Sequence, residues 1–262
     1  MQSKLIKKQI NYNTLPKFII SHIKTFFNII DNIKIQLIDV KWYSTKYTIT
    51  DFVVIEIYKA KLMQYVVNKT NFYNIEHLDL SFIELTNDII NLVCNISKLK
   101  KLNLEKTNIT DDNIKLLLLK KNNISDLNIS DCKYLTDECM SYIKYFPSLQ
   151  KLDLSYSCNI TEKGISCLIG NNSLISLNLS EFCDSNNSLI HISKITNLEK
   201  LNISDNDLYF RNIKYLVNNK KLHTLYISSD YQKNIKESSI FKNINIIYKF
   251  CPYNHLCSHN YY

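Results

Sequence analysis

ISDLNISDCKYLTDECMSYIKYFPS at residues 124–148 and LQKLDLSYSCNITEKGISCLIGNNS at residues 149–173 are two copies of one pattern. Ile124, Leu127 and Ile129 in the first copy match Leu149, Leu152 and Leu154 in the second. Working outward, the same L-x-x-L-x-L spacing occurs at Ile75-Leu78-Leu80, Leu99-Leu102-Leu104 and Leu174-Leu177-Leu179. It closes at Leu198-Leu201-Ile203 and Leu222-Leu225-Ile227. Successive starts lie 24, 25, 25, 25, 24 and 24 residues apart. So regular a period marks a stack of identical structural units.

In x-L-x-L-x the leucines alternate with polar residues, so they share one face of a short strand. A second apolar patch follows at helical spacing. It is Ile114, Leu117 and Leu118 in the second copy, Met140, Ile143 and Phe146 in the third, and Ile165, Leu168 and Ile169 in the fourth. Leu135-Thr136-Asp137 and Ile160-Thr161-Glu162 read as turns into capped helices. One strand and one helix cannot enclose a core, but stacked copies can, each leucine row lying on the next.

The period falls in the range of leucine-rich repeats, and LNISDCKYLTDECMSYI and LDLSYSCNITEKGISCLI resemble the cysteine-containing subclass of that family. In that subclass a Cys replaces the buried Asn, and an I/L-T-D/E phrase opens the helix. Cys132 stands at the Cys position, Cys158 is one residue late, and Asn206 stands where the Asn itself would be. The resemblance covers residues 75 to about 245 and implies an α/β solenoid with a curved parallel sheet on the concave side and helices outside.

Residues 15–43, LPKFIISHIKTFFNIIDNIKIQLIDVKWY, resemble an F-box. Leu15 and Pro16 open the segment, Ile19, Ile20 and Ile23 follow at helical spacing, Ile38 lies further on, and Trp42 closes it. The usual Pro-x-Asp-Leu step is replaced by Ile30-Asp31-Asn32-Ile33. The resemblance implies a small all-α module at 13–50 that docks on a Skp1-like adaptor of a cullin–RING ubiquitin ligase through Leu15, Pro16, Ile19, Ile20, Ile23, Ile38 and Trp42. The other reading of the segment is a plain helical cap on the first repeat. Residues 51–74 read as a degenerate capping repeat, with a strand over Phe52 to Ile57 and a helix over Lys59 to Val67. The solenoid proper is expected at 75–250, in about seven repeats, with a tail at 251–262.

Composition narrows the function. Only Gly164 and Gly170 occur, so no phosphate-cradling loop or dinucleotide fingerprint can be written. Residues 1–74 carry 11 Lys and 4 Asp or Glu, whereas the rest of the chain is nearly neutral. Such a basic segment suits an acidic protein partner. Of 32 basic residues only Arg211 is Arg, which argues against nucleic acid, where bidentate Arg contacts dominate. The wealth of Ile, Asn, Lys and Tyr is what AT-rich coding produces, as in protists and large DNA viruses; a viral chain would be expected to redirect host ubiquitylation. No apolar run opens the chain and no clean stretch of about 20 apolar residues occurs, so an intracellular protein of the cytoplasm or nucleus, without membrane contact, is expected. The eight cysteines are then expected as free thiols.

No cofactor and no metal are expected: Cys251, His255, Cys257 and His259 have no structural zinc spacing. The histidines are scattered, so no enzyme activity is expected and the chain reads as a monomeric adaptor. Its target protein would meet the outward positions of the concave strands. The candidates are His77, Asp79, Lys101, Asn103, Asn128, Asp153, Tyr156, Asn178, Asn202 and Tyr226. Tyr156 and Phe82 stand at strand edges.

Overall fold

A computed structural model describes residues 75–120, 123–183, 185–237 and 241–249, with backbone alone at 35–37, 53–55 and 237. Among the described residues ten strands form one sheet in chain order. They are β1 (Ile35–Leu37), β2 (Val53–Ile55), β3 (His77–Asp79), β4 (Lys101–Asn103), β5 (Asp126–Asn128), β6 (Lys151–Asp153), β7 (Ser176–Asn178), β8 (Lys200–Asn202), β9 (Thr224–Ser228) and β10 (Asn245–Lys249). β1 pairs antiparallel with β2, and every later pair is parallel. Seven helices alternate with the strands among the described residues. They are α1 (Asn87–Cys94), α2 (Asp111–Leu119), α3 (Asp137–Ile143), α4 (Glu162–Cys167), α5 (Ser185–Ile192), α6 (Phe210–Ile213) and α7 (Gln232–Glu237).

The register places Leu78, Leu102, Leu127, Leu152, Leu177, Leu201 and Leu225 in one row across the sheet. Each is at most 2% exposed. Two parallel rows flank it, Leu80 to Ile227 and Ile75 to Leu222, and both are buried. Burying one such side chain contributes about 1.5–3 kcal/mol, so each coil holds its place through its neighbours. Strands repeat every ~4.8 Å, whereas packed helices need ~8–10 Å, so the sheet lies on the inside of the bend. The fold is therefore an α/β leucine-rich-repeat solenoid.

Side chains tie the coils at the helix starts. Thr136 and Thr161 accept from the backbone N–H groups of Glu138 and Lys163, each at 3.2 Å. The preceding coil holds each cap in turn. Asp111 Oδ2 accepts from Thr136 Oγ1 and Asp137 Oδ2 from Thr161 Oγ1, both at 2.7 Å. Asp137 Oδ1 also takes the Gly164 N–H at 3.0 Å. A Cβ on Gly164 would stand 2.5 Å from that same oxygen and 2.9 Å from Ile160 Cγ2, which accounts for a glycine inside α4.

The helical patches are buried as expected, except that Leu118 is half-buried and Ile169 is 37% exposed. Cys132 Sγ donates to the Leu104 carbonyl at 3.0 Å, and Thr107 Oγ1 makes the same contact at 2.7 Å. Asn206 bonds both Phe182 N and Leu179 O at 2.7 Å. These are the polar rungs beneath the sheet. Two expectations need correction. Cys158 and Cys183 are exposed and joined in a disulfide rather than free. Their 25-residue separation equals the repeat period, which makes them neighbours across one coil boundary. β10 adds an eighth parallel strand to the repeat array.

Leu15, Pro16, Ile19, Ile20, Ile23, Ile38 and Trp42 lie outside the described residues, as do the helix expected over Lys59 to Val67 and the tail 251–262. Within the span read as all-helical, Ile35–Leu37 is a strand. The reason is pairing: it extends the sheet through β2, which in turn pairs with β3. The strand expected over Phe52 to Ile57 is present as Val53–Ile55.

Leu152→Ala is expected to lower the unfolding free energy by about 2–5 kcal/mol, because the row cannot collapse around the cavity. Gly164→Ala is expected to cost about 1–3 kcal/mol through the clash with Asp137. Urea unfolding followed by far-UV circular dichroism measures both. An unchanged midpoint for either variant contradicts the packing described.

Candidate functional site

The outward side chains of the strands form two rows on the concave face. His77, Lys101, Asp126, Lys151, Ser176, Lys200 and Thr224 are in register in the first. Asp79, Asn103, Asn128, Asp153, Asn178, Asn202 and Tyr226 are in register in the second. All the sequence-derived concave candidates except Tyr156 fall in these two rows, and Tyr156 lies three residues beyond Asp153. The structure brings these candidates onto one surface.

The second row is largely committed to the fold. Asp79 Oδ1 accepts the Ser81 N–H at 2.8 Å, and Asn103 Oδ1 accepts that of Glu105 at 3.0 Å. Asn128, Asp153, Asn178 and Asn202 repeat the contact with Ser130, Ser155, Ser180 and Ser204. Neighbouring coils also bond sideways, Asn103 Nδ2 to Asp79 Oδ2 at 3.0 Å and Asn178 Nδ2 to Asp153 Oδ2 at 2.7 Å. Each Asx turn ends its strand. These residues therefore shape the surface before they touch any partner. Tyr226 is half-buried, with Lys249 Nζ 5.3 Å from its ring centre.

One residue beyond each Asx turn the backbone enters the left-handed region. Phe82, Lys106, Asp131, Tyr156, Glu181 and Asp205 have φ between 50° and 61°. None is glycine, and each such residue costs roughly 1 kcal/mol. The sheet ladder holds them there: Phe82 N donates to Glu105 O at 2.9 Å, Lys106 N to Ser130 O at 2.8 Å and Tyr156 N to Ser180 O at 3.1 Å. Their side chains make a rim along the C-terminal ends of the strands. Phe82 and Tyr156 are 55% and 52% exposed. Lys106 Nζ lies 5.6 Å from the Phe82 ring centre and 3.8 Å from Asp131. Tyr156 Oη donates to Glu181 Oε1 at 2.7 Å. That bond, with burial second, pushes the Tyr156 hydroxyl up to about 12. Sequence reasoning picked Tyr156 from this row and noted Phe82. It missed Lys106, Asp131, Glu181 and Asp205. The only available signal was their place, three residues after the Asx that ends each strand, since no glycine marks the turn.

Partial burial, followed by repulsion from Asp153, Asp79 and Asp131, pushes the Glu105 carboxyl above its ordinary value. Lys106 opposes the shift. Burial pushes the Cys94 thiol up to about 11 and raises those of Cys132 and Cys139. Protonated, buried thiols pack as small apolar groups rather than act as nucleophiles. Among the described residues no helix is long and apolar enough to cross a membrane, and no group of three or more metal-ligating side chains gathers.

No protein-family model matches the chain. A curated relative, lysine-specific demethylase 2B of Mus musculus, is 31% identical over 103 residues, 37% of this chain. The match spans 8% of that protein's length. Among solved structures, internalin C2 of Listeria monocytogenes is 22% identical, with 72% of this chain and 80% of that one covered and a TM-score of 0.48. Internalin InlF of the same organism is 21% identical, covering 65% and 51%, with a TM-score of 0.44. The Rad7 and Elc1 complex of yeast is 16% identical, covering 72% and 57%, with a TM-score of 0.47.

The Glu105 environment sets a sign for its effect on stability. Its proton is held more tightly in the folded chain than in the unfolded one, so its contribution falls as pH rises through the carboxylate range. Glu105→Gln is therefore expected to raise the urea midpoint slightly at pH 7 and to leave it unchanged at pH 3. A lower midpoint for the variant at pH 7 contradicts the repulsion described.

Proposed function

We propose that the chain is a cytoplasmic substrate-recruiting subunit of an SCF-type ubiquitin ligase. The N-terminal segment would bind a Skp1-like adaptor through Leu15, Pro16, Ile19, Ile20, Ile23, Ile38 and Trp42. The solenoid would hold a target protein on its concave face. The observation that supports the holding role is the register of β3 to β9. It aligns the outward side chains of seven coils on one open face, and the Asx turns fix that face in advance. A surface already ordered before binding loses less entropy when a partner arrives. The order of an F-box-like segment followed by cysteine-containing repeats supports the ligase assignment.

On this reading the chain supplies no catalytic group. It brings a target protein close to an enzyme charged with ubiquitin, and proximity raises the rate. The adaptor contact would rest on apolar burial, where a few hundred Å² contribute several kcal/mol at about 25 cal/mol per Å².

A second reading is a repeat scaffold without a ubiquitin-ligase connection. The pairing of Ile35–Leu37 with Val53–Ile55 favours it, because those residues then extend the sheet as a cap. Co-expression with a Skp1-like adaptor and affinity capture separates the two. The ligase reading expects the wild-type chain to retain the adaptor and the Leu15→Ala/Pro16→Ala/Trp42→Ala form to lose it. A folded wild-type chain that retains no adaptor leaves the scaffold reading.

A further inference from the structure

Neighbouring coils are linked by side chains in the loop that follows each strand. Thr107, Cys132, Ser157, Phe182 and Asn206 occupy one place in five successive coils. From it Cys132 and Asn206 reach back to a leucine carbonyl of the coil before. One residue further on stand Asn108, Lys133, Cys158, Cys183, Asp207 and Tyr231. From this second place Asn108 Oδ1 accepts the Leu85 N–H and Tyr231 Oη accepts the Leu208 N–H, both at 2.6 Å and both one coil back. The loop of coil four is tied to coil three by Asn159 Nδ2, which donates to the Lys133 carbonyl at 2.7 Å.

The boundary between the fourth and fifth coils departs from this rule. Phe182 fills the first place in coil five, and its side chain has no polar atom to reach back with. Ser157, its counterpart in coil four, has a buried Oγ without a hydrogen-bond partner. The link in this loop is the Cys158–Cys183 bond at the second place, with Cα atoms 5.0 Å apart. On either side the loops are held elsewhere. Asn159 holds coil four to coil three, and Asn206 holds coil five to coil six by accepting the Phe182 N–H at 2.7 Å. A bond that an outside thiol can break therefore stands where the other boundaries have hydrogen bonds that it cannot. Exposure sets the pair apart as well. Cys158 and Cys183 are both exposed, whereas Cys94, Cys132 and Cys139 are buried and Cys167 is half-buried. Exchange requires an attacking sulfur to reach the bond, so a small thiol meets this pair and not the core cysteines.

We propose that Cys158 and Cys183 form a reversible thiol–disulfide site, whose reactant is a small-molecule thiol or its disulfide, and whose state sets whether the fourth and fifth coils are locked together at the rim. To close it, one Cys thiolate attacks a sulfur of the small disulfide RSSR, forms a mixed disulfide and releases one thiolate. The second Cys thiolate attacks the protein sulfur of that mixed bond and expels the other. The two cysteines give up two electrons and two protons, and RSSR takes them as two RSH. Excess RSH runs the same steps in reverse. With the bond open, water reaches the orphaned Ser157 hydroxyl, which gains the partners it lacks in the closed loop. The rim loosens between Tyr156 and Glu181, each two residues before its cysteine. In the cytoplasm proposed above, the thiol pool keeps such a pair open and a rise in small disulfides closes it. The exchange itself depends neither on that placement nor on the adaptor contact.

The full chain, equilibrated at graded ratios of reduced to oxidised glutathione, is pulse-alkylated without denaturant and read by peptide mass spectrometry. A Cys158–Cys183 linked peptide is expected to disappear as the reduced thiol is raised and to return as it is lowered. The circular dichroism spectrum stays constant throughout, and Cys132 and Cys139 stay unlabelled. Hydrogen exchange on the same samples is expected to be about tenfold faster at 156–158 and 181–183 in the reduced chain, and unchanged across β4 and β5. Cys158→Ser is expected to show the fast exchange at every ratio; should it fail to fold, the reduced wild type carries the same comparison. Absence of the linked peptide at every ratio, a bond that yields to thiol only after the chain unfolds, or equal exchange in the reduced and oxidised chain overturns the proposal. Adaptor capture turns on Leu15, Pro16 and Trp42, so the two experiments fail separately.

Discussion

A coil of 24 or 25 residues has too little interior to bury its own leucines, so every coil depends on the one before it and the one after it. The register shows how that dependence is met. Leu102, Leu127, Leu152, Leu177 and Leu201 align across adjacent strands and are almost wholly buried. Shifting one strand by a single residue would turn its leucines outward and bring its Asn and Lys residues into the interior. Burial of the row therefore fixes the strand alignment, and the strand alignment fixes the surface.

Polar contacts refine what burial sets. Asp111 and Asp137 each hold the helix cap of the following coil, and Asp137 also holds Gly164. Cys132, Thr107 and Asn206 solve one problem in three ways, each bonding the carbonyl of a leucine below the sheet. The Cys158–Cys183 bond and the Tyr156–Glu181 contact both cross the boundary between the fourth and fifth coils at the rim. That boundary is the one held covalently among the described residues.

The leucine period was legible because it has only one low-energy packing. Cys132 and Asn206 could be placed because the polar rung recurs at a fixed distance from the leucines. Other features were less legible for physical reasons. β10 reads NIIYK and has no leucine triplet before it, so no pattern announces an eighth strand. The rim residues adopt left-handed backbone without glycine, held by the ladder and the Asx turn rather than by their own preference. Cys158 and Cys183 did carry a signal, a separation equal to the repeat, which the expectation of free thiols overrode. For the concave face, the positions were legible but their burden was not. Asn and Asp there close turns, so a polar residue facing outward is not by itself a binding residue.

The claim beneath all of this is that consecutive coils are locked in one register over a shared leucine row. Native-state hydrogen exchange read by mass spectrometry tests it most directly. Amide protection should recur every 24 or 25 residues, centred on Leu80, Leu104, Ile129, Leu154, Leu179 and Ile203, whose N–H groups lie in the ladder. Protection without that period, or confined to one or two of these segments, would contradict the account.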